Sequence, residues 1–233
     1  MTKLYLSLLT FLLIFSLTCS AQISSSDIST LHNAATYKGG YDELIKLLAK
    51  NIKFPQKAVM DGKLVTVIGV LKTDRNGEIL EVGTLHKVDD NFTEAFKNVI
   101  RKTNGKWQPT NDTSKYFYAV IPVQFSYHES GYTLIETNKP AYLQETIVVS
   151  LAGRPGAFTG MYEKYESDLV AQVNELYNKQ AFTEAIRPMM ELVNLQPLHP
   201  SYYDTLITLL QKTGNTAEAK HYEQVKALLT PIN

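Results

Sequence analysis

The sequence predicts an α+β fold followed by an all-α region. Near the start of the chain, apolar residues recur in two segments with the 3.6-residue period of an amphipathic helix. Runs rich in β-branched residues, which favour strands, lie between and after these segments. Towards the C-terminus, matching residues recur at an offset of 34 residues, a period found in stacked helical hairpins.

Composition limits the protein to a few classes. The chain has 233 residues, of which 44% are hydrophobic, so it can form one or two domains with real cores. Lys+Arg and Asp+Glu both number 23, and the net charge is therefore zero. Nucleic-acid binding requires a basic surface that displaces counterions, so we expect no nucleic-acid partner.

The first 21 residues have the pattern of a cleavable secretory signal. Lys3 precedes the apolar run Leu4–Leu17, and small residues then lead to Ala21. We therefore predict a signal peptide over 1–21 and export to the periplasm or cell envelope. A lipoprotein acylated on Cys19 and a retained inner-membrane anchor are the alternatives. Cys19 is the only cysteine, so the mature chain would form no disulfide.

The predicted elements follow in order after a flexible tether over 22–38. The first domain, 39–127, has the predicted order helix, strand, strand, helix, strand. The first helix is Tyr41–Asn51, and the next two elements are the strands Leu64–Lys72 and Ile79–Lys87. A second helix begins near Asp89 or Asp90, and the last strand is Lys115–Tyr127. The two neighbouring strands form a hairpin around Asp74–Gly77. A right-handed crossover then places the last strand beside the first.

This order predicts a three-stranded antiparallel sheet with the last strand at an edge. Pro122 lies in that strand, and proline is tolerated mainly at sheet edges and bulges because it cannot donate a ladder hydrogen bond. If both helices cover one face of the sheet, the other apolar face of Leu64–Lys72 needs a cover. The segment 128–165, or a second copy in a homodimer, could supply it.

The first domain resembles the C-terminal domain family of TonB, from about residue 39 to residue 127. The residues that carry the resemblance are Gly39-Gly40, Asn51-Ile52-Lys53-Phe54-Pro55, Ala58, Gly62, Asp74, Asn76-Gly77, Trp107-Gln108-Pro109 and Ile121-Pro122-Val123 with Phe125. In that family, the domain binds an extended segment of an outer-membrane transporter as an added strand, a mode called β-augmentation.

The resemblance implies a binding edge over Tyr116–Tyr127. The candidate partner-binding residues are Tyr116, Tyr118, Val120, Pro122 and Gln124. Aromatic residues suit strands in general and also suit interfaces, so both interpretations of Tyr116, Tyr118 and Tyr127 stay open. Trp107, the only tryptophan, is interpreted as a core residue, with ligand stacking as the alternative.

The C-terminal region, 166–233, resembles tetratricopeptide repeats. Leu176, Glu184, Ala185, Leu195 and Pro197 recur 34 residues later as Leu210, Glu218, Ala219, Leu229 and Pro231. Two departures are Gln180, where the repeat has glycine, and Pro188 inside a helix. Two repeats bury little surface, so we expect them to dock on something else. The segment 128–165 is uncertain, with Tyr142–Leu151 as a candidate strand.

The sequence carries no recognisable catalytic motif. The five histidines have no His or Cys at the short spacings of a metal site, and no phosphate loop or nucleophile elbow occurs. We therefore expect no metal, no cofactor, no catalytic residue and no small-molecule substrate. The leading hypothesis is a non-catalytic, exported binding protein. The alternatives are a membrane-anchored energy transducer of the TonB type and an envelope enzyme with its site in 128–165.

Overall fold

The computed structural model describes residues 34–110, 114–136 and 139–229. The predicted signal peptide, Cys19 and most of the predicted tether lie outside the described residues. Within them no helix is both long and apolar enough to span a membrane. The strands are β1 (Ala35–Tyr37), β2 (Val65–Thr73), β3 (Ile79–Thr84), β4 (Trp107–Pro109), β5 (Phe117–Tyr127) and β6 (Ile147–Leu151). The helices are α1 (Tyr41–Asn51), α2 (Gln56–Met60), α3 (Asp90–Ile100), α4 (Met161–Asn178), α5 (Phe182–Leu195), α6 (Pro200–Lys212) and α7 (Thr216–Leu229).

The α+β class is confirmed, and the main sheet has one more strand than predicted. Its order is β3-β2-β5-β6, so the predicted order of the first three strands is correct. These three run antiparallel, whereas β6 pairs with β5 in parallel. The prediction of a three-stranded antiparallel sheet is therefore wrong, because the candidate strand in 142–151 joins the same sheet.

The end of the predicted tether is also ordered. Residues 35–37 form β1, which pairs antiparallel with β4 in a second, two-stranded sheet. Tyr37 lies opposite Trp107 in this pair, and their rings meet edge to face with centroids 5.5 Å apart. Trp107 is buried and donates its indole N–H to Thr103 Oγ1 over 2.8 Å. The core interpretation of Trp107 is confirmed.

Helices α1 and α3 cover one face of the main sheet. Asp89 caps α3 by accepting the N–H of Asn91, as its position before the apolar run predicts. Phe96 of α3 lies directly over Gly69 of β2, where a Cβ atom would come within 2.1 Å of its ring. A side chain at position 69 would have to displace the Phe96 ring, which occupies the space that this glycine leaves.

The C-terminal helices cover the opposite face. Ile68 and Val70 of β2 belong to one apolar core with Met189 and Leu192 of α5. The predicted need for a cover on this face is thus met within the chain, by the helical region, with Leu134 and Leu143 of the segment 128–165 adding to the same core. Helix α5 packs on β2. Helix α7 contacts the residue that follows β3, where Nε2 of His221 lies 3.1 Å from the carbonyl oxygen of Leu85.

The first helices of the two hairpins, α4 and α6, end in the same backbone arrangement. After α4, Ala181 donates its N–H to the carbonyl of Leu176 over 2.9 Å; 34 residues later Asn215 donates to Leu210 over 2.8 Å. The residues before these donors, Gln180 and Gly214, have left-handed φ angles of 58° and 78°. This is the Schellman arrangement that ends many helices. The 34-residue offset therefore recurs in this helix cap, and Gln180 occupies a backbone position that favours glycine.

A buried polar network joins the helical region to the sheet. The Gln196 side chain, fully buried at the end of α5, donates to the carbonyl of Thr133 and to Tyr162 Oη, both over 2.9 Å. Its carbonyl oxygen accepts the N–H of Ile135 over 2.9 Å. Nearby, the hydroxyl of Tyr132 bonds with Thr66 Oγ1 of β2 over 2.6 Å. The side chains of Gln196 and Tyr132 thus have hydrogen-bond partners although they are buried. We infer that this network fixes the position of the helices on the sheet.

Candidate interaction surfaces

The predicted binding strand is an interior strand of the sheet. Tyr118, Val120, Pro122 and Gln124 are all buried in β5, and Tyr116 is half-buried just before it. The prediction that these five residues form an exposed, partner-binding edge is therefore wrong. Its physical reason lies in the pairing of β5, whose second side is already occupied by the chain itself.

Three stretches of the chain cover that side of β5. Ala34 forms a bridge with Tyr118, and Leu143 forms one with Val120. Gln144 donates its N–H to the carbonyl of Val120 over 3.2 Å. Further along, β6 pairs with residues 123–127. An added strand could reach β5 only by displacing these segments.

Pro122 fits this interior position because the missing N–H faces a gap before β6. Continuing the β5–β6 register backwards would place the N–H of residue 122 against the carbonyl of Glu145. Proline has no such donor, and the hydroxyl of Tyr41 in α1 donates to this carbonyl instead. The acceptor is satisfied without a ladder bond. Pro122 therefore marks the place where pairing is interrupted, not a free edge.

The aromatic residues of β5 make contacts within the chain. Lys72 of β2 lies over the ring of Tyr116, with the Nζ atom 4.7 Å from the ring centroid. Tyr118 is buried in the core shared with the C-terminal helices. Tyr127 is also buried, with its ring 4.6 Å from that of Phe158 between centroids. Each of these three tyrosines therefore has a partner within the chain. Gln124 is used internally as well, donating to the carbonyl of Tyr132 over 2.9 Å.

The free edge of the sheet is β6 instead. His128 donates its N–H to the carbonyl of Leu151 over 3.0 Å, so Leu151 directs its backbone groups towards β5. Successive residues of a strand direct these groups to opposite sides. Ile147 and Val149 therefore also face β5, whereas Val148 and Ser150 direct their N–H and C=O groups outwards. β6 is the last strand of the sheet, so in the described part of the chain no strand lies beyond it.

The sequence of β6 lacks the features that normally protect an edge strand. Proteins usually prevent unwanted pairing with charged residues, proline, bulges or covering segments. Residues 146–153 contain no charge and no proline, and two of them are adjacent valines. The side chain of Val148 is unusually open for its type, because the residue is 51% exposed. This edge is chemically suited to accept another strand.

The other edge of the sheet, β3, is protected. Glu81 places a charge in the middle of that strand. The N–H of Ile79 is used by Asn104 Oδ1 over 2.6 Å, and the β2–β3 register is irregular at Lys72/Thr73. A charge, an occupied donor and a bulge are the devices that discourage strand addition. The two edges therefore differ, and among the described residues β6 is the one left open.

A groove between α4 and α6 is a second accessible surface. Its volume is about 320 Å³. Tyr177 is 39% exposed there, and the lining residues are Val173, Asn174, Tyr177, Asp204, Thr205 and Thr208. The groove is formed by the first helices of the two hairpins. Its lining is mixed, with one carboxylate that already pairs with Lys226 over 2.5 Å.

The buried titratable side chain of His86 has one hydrogen-bond partner, through Nε2, and its Nδ1 atom has none. Among the described residues no three His, Cys, Asp or Glu side chains converge as metal ligands would. Burial lowers the pKa of His86 to about 4, so its ring is neutral, and Nε2 lies 3.1 Å from the carbonyl of Thr66. In the segment 128–165, Nδ1 of His128 lies 3.7 Å from Oε1 of Glu129, and both side chains are exposed to solvent. Nothing about them resembles a positioned acid–base pair.

Comparison with models of known protein families gives no match for this chain, and comparison with curated proteins gives none either.

Proposed function

We propose that the protein is a non-catalytic, exported binding protein of the cell envelope that takes up an extended segment of another polypeptide by strand addition. The added strand pairs with β6, not with β5. The observation that carries the proposal is the outward direction of the Val148 and Ser150 backbone groups, on an uncharged edge strand with an exposed valine. Backbone bonds would supply affinity, and neighbouring side chains would supply selectivity.

The sequence resemblance to the TonB C-terminal family supports the binding mode and the kind of partner. It suggests a segment of an outer-membrane transporter as the partner. The same resemblance raises the alternative of an energy transducer that keeps Leu4–Leu17 as a membrane anchor. The N-terminus of the mature protein separates them: Gln22 is expected for the exported form, and Met1 or Thr2 for the anchored form.

Proline substitution at an outward-facing position tests strand addition. The probes are labelled synthetic peptides from the N-terminal segments of outer-membrane transporters, with binding measured by fluorescence anisotropy. Ser150→Pro removes an N–H that makes no bond to β5, so β6 keeps its ladder while the outer edge is blocked. Ser150→Ala is the matched control because it keeps that N–H. We expect the proline variant to lose binding and the alanine variant to keep it; equal binding by both contradicts the proposal.

A disulfide clamp tests whether the peptide adds to β6 or replaces it. Ser126 and Ser150 lie directly opposite each other in the β5–β6 ladder. Neighbouring strands are about 4.8 Å apart, within the range that a disulfide can bridge. The double variant Ser126→Cys, Ser150→Cys should bind peptide equally well oxidised and reduced. Binding that requires reduction would show displacement of β6 and contradict addition to its outer edge.

A further inference from the structure

We propose that in the absence of a partner strand two copies of the chain pair through β6 about a two-fold axis, forming one continuous eight-stranded sheet. This inference rests on the proposed function, because it uses the same edge. It identifies the resting occupant of that edge as a second copy, which an incoming strand must replace. Two-fold pairing of identical surfaces is the commonest form of self-association.

The backbone geometry of β6 fits antiparallel self-pairing. With the axis at Val149, Val148 of one copy lies opposite Ser150 of the second copy. On the other side of the axis, Ser150 of the first copy lies opposite Val148 of the second. Both residues direct their backbone groups outwards, so each pair exchanges two N–H···O bonds. Val149 then meets its own counterpart as a non-bonded pair. The exposed Val148 side chains become diagonal neighbours across the axis, within reach of each other.

Charge favours the antiparallel arrangement. The uncharged stretch 146–153 lies between Glu145 and Arg154, so antiparallel strands bring the acidic end of one copy towards the basic end of the other. No like charges face each other within the paired stretch. The exported chain, which lacks Lys3, has a net charge of only −1, so two copies repel each other little over long distances.

Helix α1 adds a second complementary contact. Its Leu44 and Leu48 share a core with Ile147 and Val149, and so α1 lies on the face of the sheet beside β6. The two-fold axis sets the two copies of α1 antiparallel on that face. The first turn of α1 is acidic and its last turn contains Lys50, so the ends that approach each other have opposite charge.

Two exposed apolar side chains, Ile135 and Val148, lie near this edge on the opposite face. Thr146 donates to Glu136 Oε1 over 2.6 Å, which brings the start of β6 next to the segment that contains Ile135. Ile135 is 44% exposed, and Val148 lies two residues beyond Thr146. Large apolar side chains exposed close together indicate an interaction surface. The second copy would cover them.

Sedimentation velocity of the exported chain tests the dimer between about 1 and 200 μM, a range that brackets ordinary self-association. We expect a monomer–dimer equilibrium whose dissociation constant rises at least about 100-fold in Ser150→Pro, which loses two of the four bonds, and is nearly unchanged in Ser150→Ala. Circular dichroism checks that the proline variant keeps its fold. A wild-type chain that stays monomeric, or a dimer that tolerates Ser150→Pro, overturns the inference.

Cysteine pairs test the position of the axis in a Cys19→Ser background. Val149→Cys should form an intermolecular disulfide readily, because residue 149 faces itself as a non-bonded pair. Ser150→Cys should not, because its counterpart is displaced from it by two positions. The reverse result contradicts this register. If the wild type is monomeric and binds a peptide that Ser150→Pro fails to bind, the dimer is wrong and the proposed function stands. If the dimer forms as described and no peptide displaces the second copy, the proposed capture of a partner strand is wrong and the dimer stands.

Discussion

Gln196 offers a quantitative test of how firmly the helical region is attached to the sheet. Its side chain is fully buried and makes three hydrogen bonds, to Thr133, Ile135 and Tyr162. A neutral hydrogen bond contributes about 1 kcal/mol net, and a buried group left unpaired costs about 1–3 kcal/mol. We therefore expect Gln196→Ala to lower the free energy of unfolding by about 2–4 kcal/mol, a large part of the about 5–15 kcal/mol typical of a domain.

Two probes on opposite sides of the molecule report the effect. Fluorescence of Trp107, the only tryptophan, monitors the sheet on the face covered by α1 and α3, and far-UV circular dichroism monitors mainly helix. Both should give the same urea midpoint in the wild type and the same lowered midpoint in the variant, because the core continues across the junction. Gln196→Met, which fills the space without the hydrogen bonds, should lose nearly as much.

The matched control is the exposed Gln211, whose side chain donates to Glu223 Oε1 over 3.1 Å. Gln211→Ala should change the free energy of unfolding by less than about 0.5 kcal/mol. Two results would refute the reasoning about the junction. One is a loss below about 0.5 kcal/mol in Gln196→Ala. The other is a pair of separate transitions, in which the helical region unfolds while Trp107 stays buried.

Three further expectations concern single positions. Burial lowers the pKa of His86 from 6.5 to about 4, so between these pH values the unfolded chain binds a proton that the folded chain excludes. The free energy of unfolding should therefore fall by up to about 3 kcal/mol as the pH drops from 6.5 to 4. His86→Gln should flatten this part of the plot of urea midpoint against pH. Gly69→Ala should cost about 1–3 kcal/mol by forcing a methyl group against Phe96, and Phe96→Leu in that background should recover part of the loss in thermal melts. Gln180→Gly should raise the melting temperature, since its φ of 58° is strained for glutamine, whereas Gly214→Gln should lower it; equal effects of the same sign would contradict the repeated cap.

Local pattern was sufficient to predict most elements of the first region. The period of Tyr41, Leu44 and Leu48 predicts α1, which spans Tyr41–Asn51 as expected. Connection handedness correctly predicts that β5 lies beside β2. These features depend on short-range periodicity and on a rule that holds for nearly all crossovers, and so one sequence is enough to predict them.

The error about the edge came from a contact that local pattern does not encode. β6 is five residues long and reaches β5 through an irregular segment, and its parallel pairing depends on where that segment turns. Pro122 was consistent with an edge strand. In the structure, proline at this position leaves only one ladder acceptor without a donor, the carbonyl of Glu145. The hydroxyl of Tyr41 donates to that carbonyl instead. The uncharged Ile147–Leu151 stretch was the available signal of a strand that lacks edge protection.

The cover over the second face illustrates a different limit. The two apolar faces of β2 predict that both are buried, and Ile68 and Val70 are. Which segment supplies the cover depends on the shape of the remaining chain, and the apolar stripes of α5 and α7 would fit many surfaces. Only the assembled helices reveal that Gln196 and Tyr132 fix their position.

Residue-resolved hydrogen exchange of β6 tests the free edge most directly. In dilute protein, the amides of Val148 and Ser150 should exchange quickly, whereas that of Val149, which faces β5, should be protected. A second copy at high concentration, or a bound peptide, should protect Val148 and Ser150 as well. Strong protection of both amides in the dilute monomer, or fast exchange under every condition, would contradict an edge that is open and able to accept a strand.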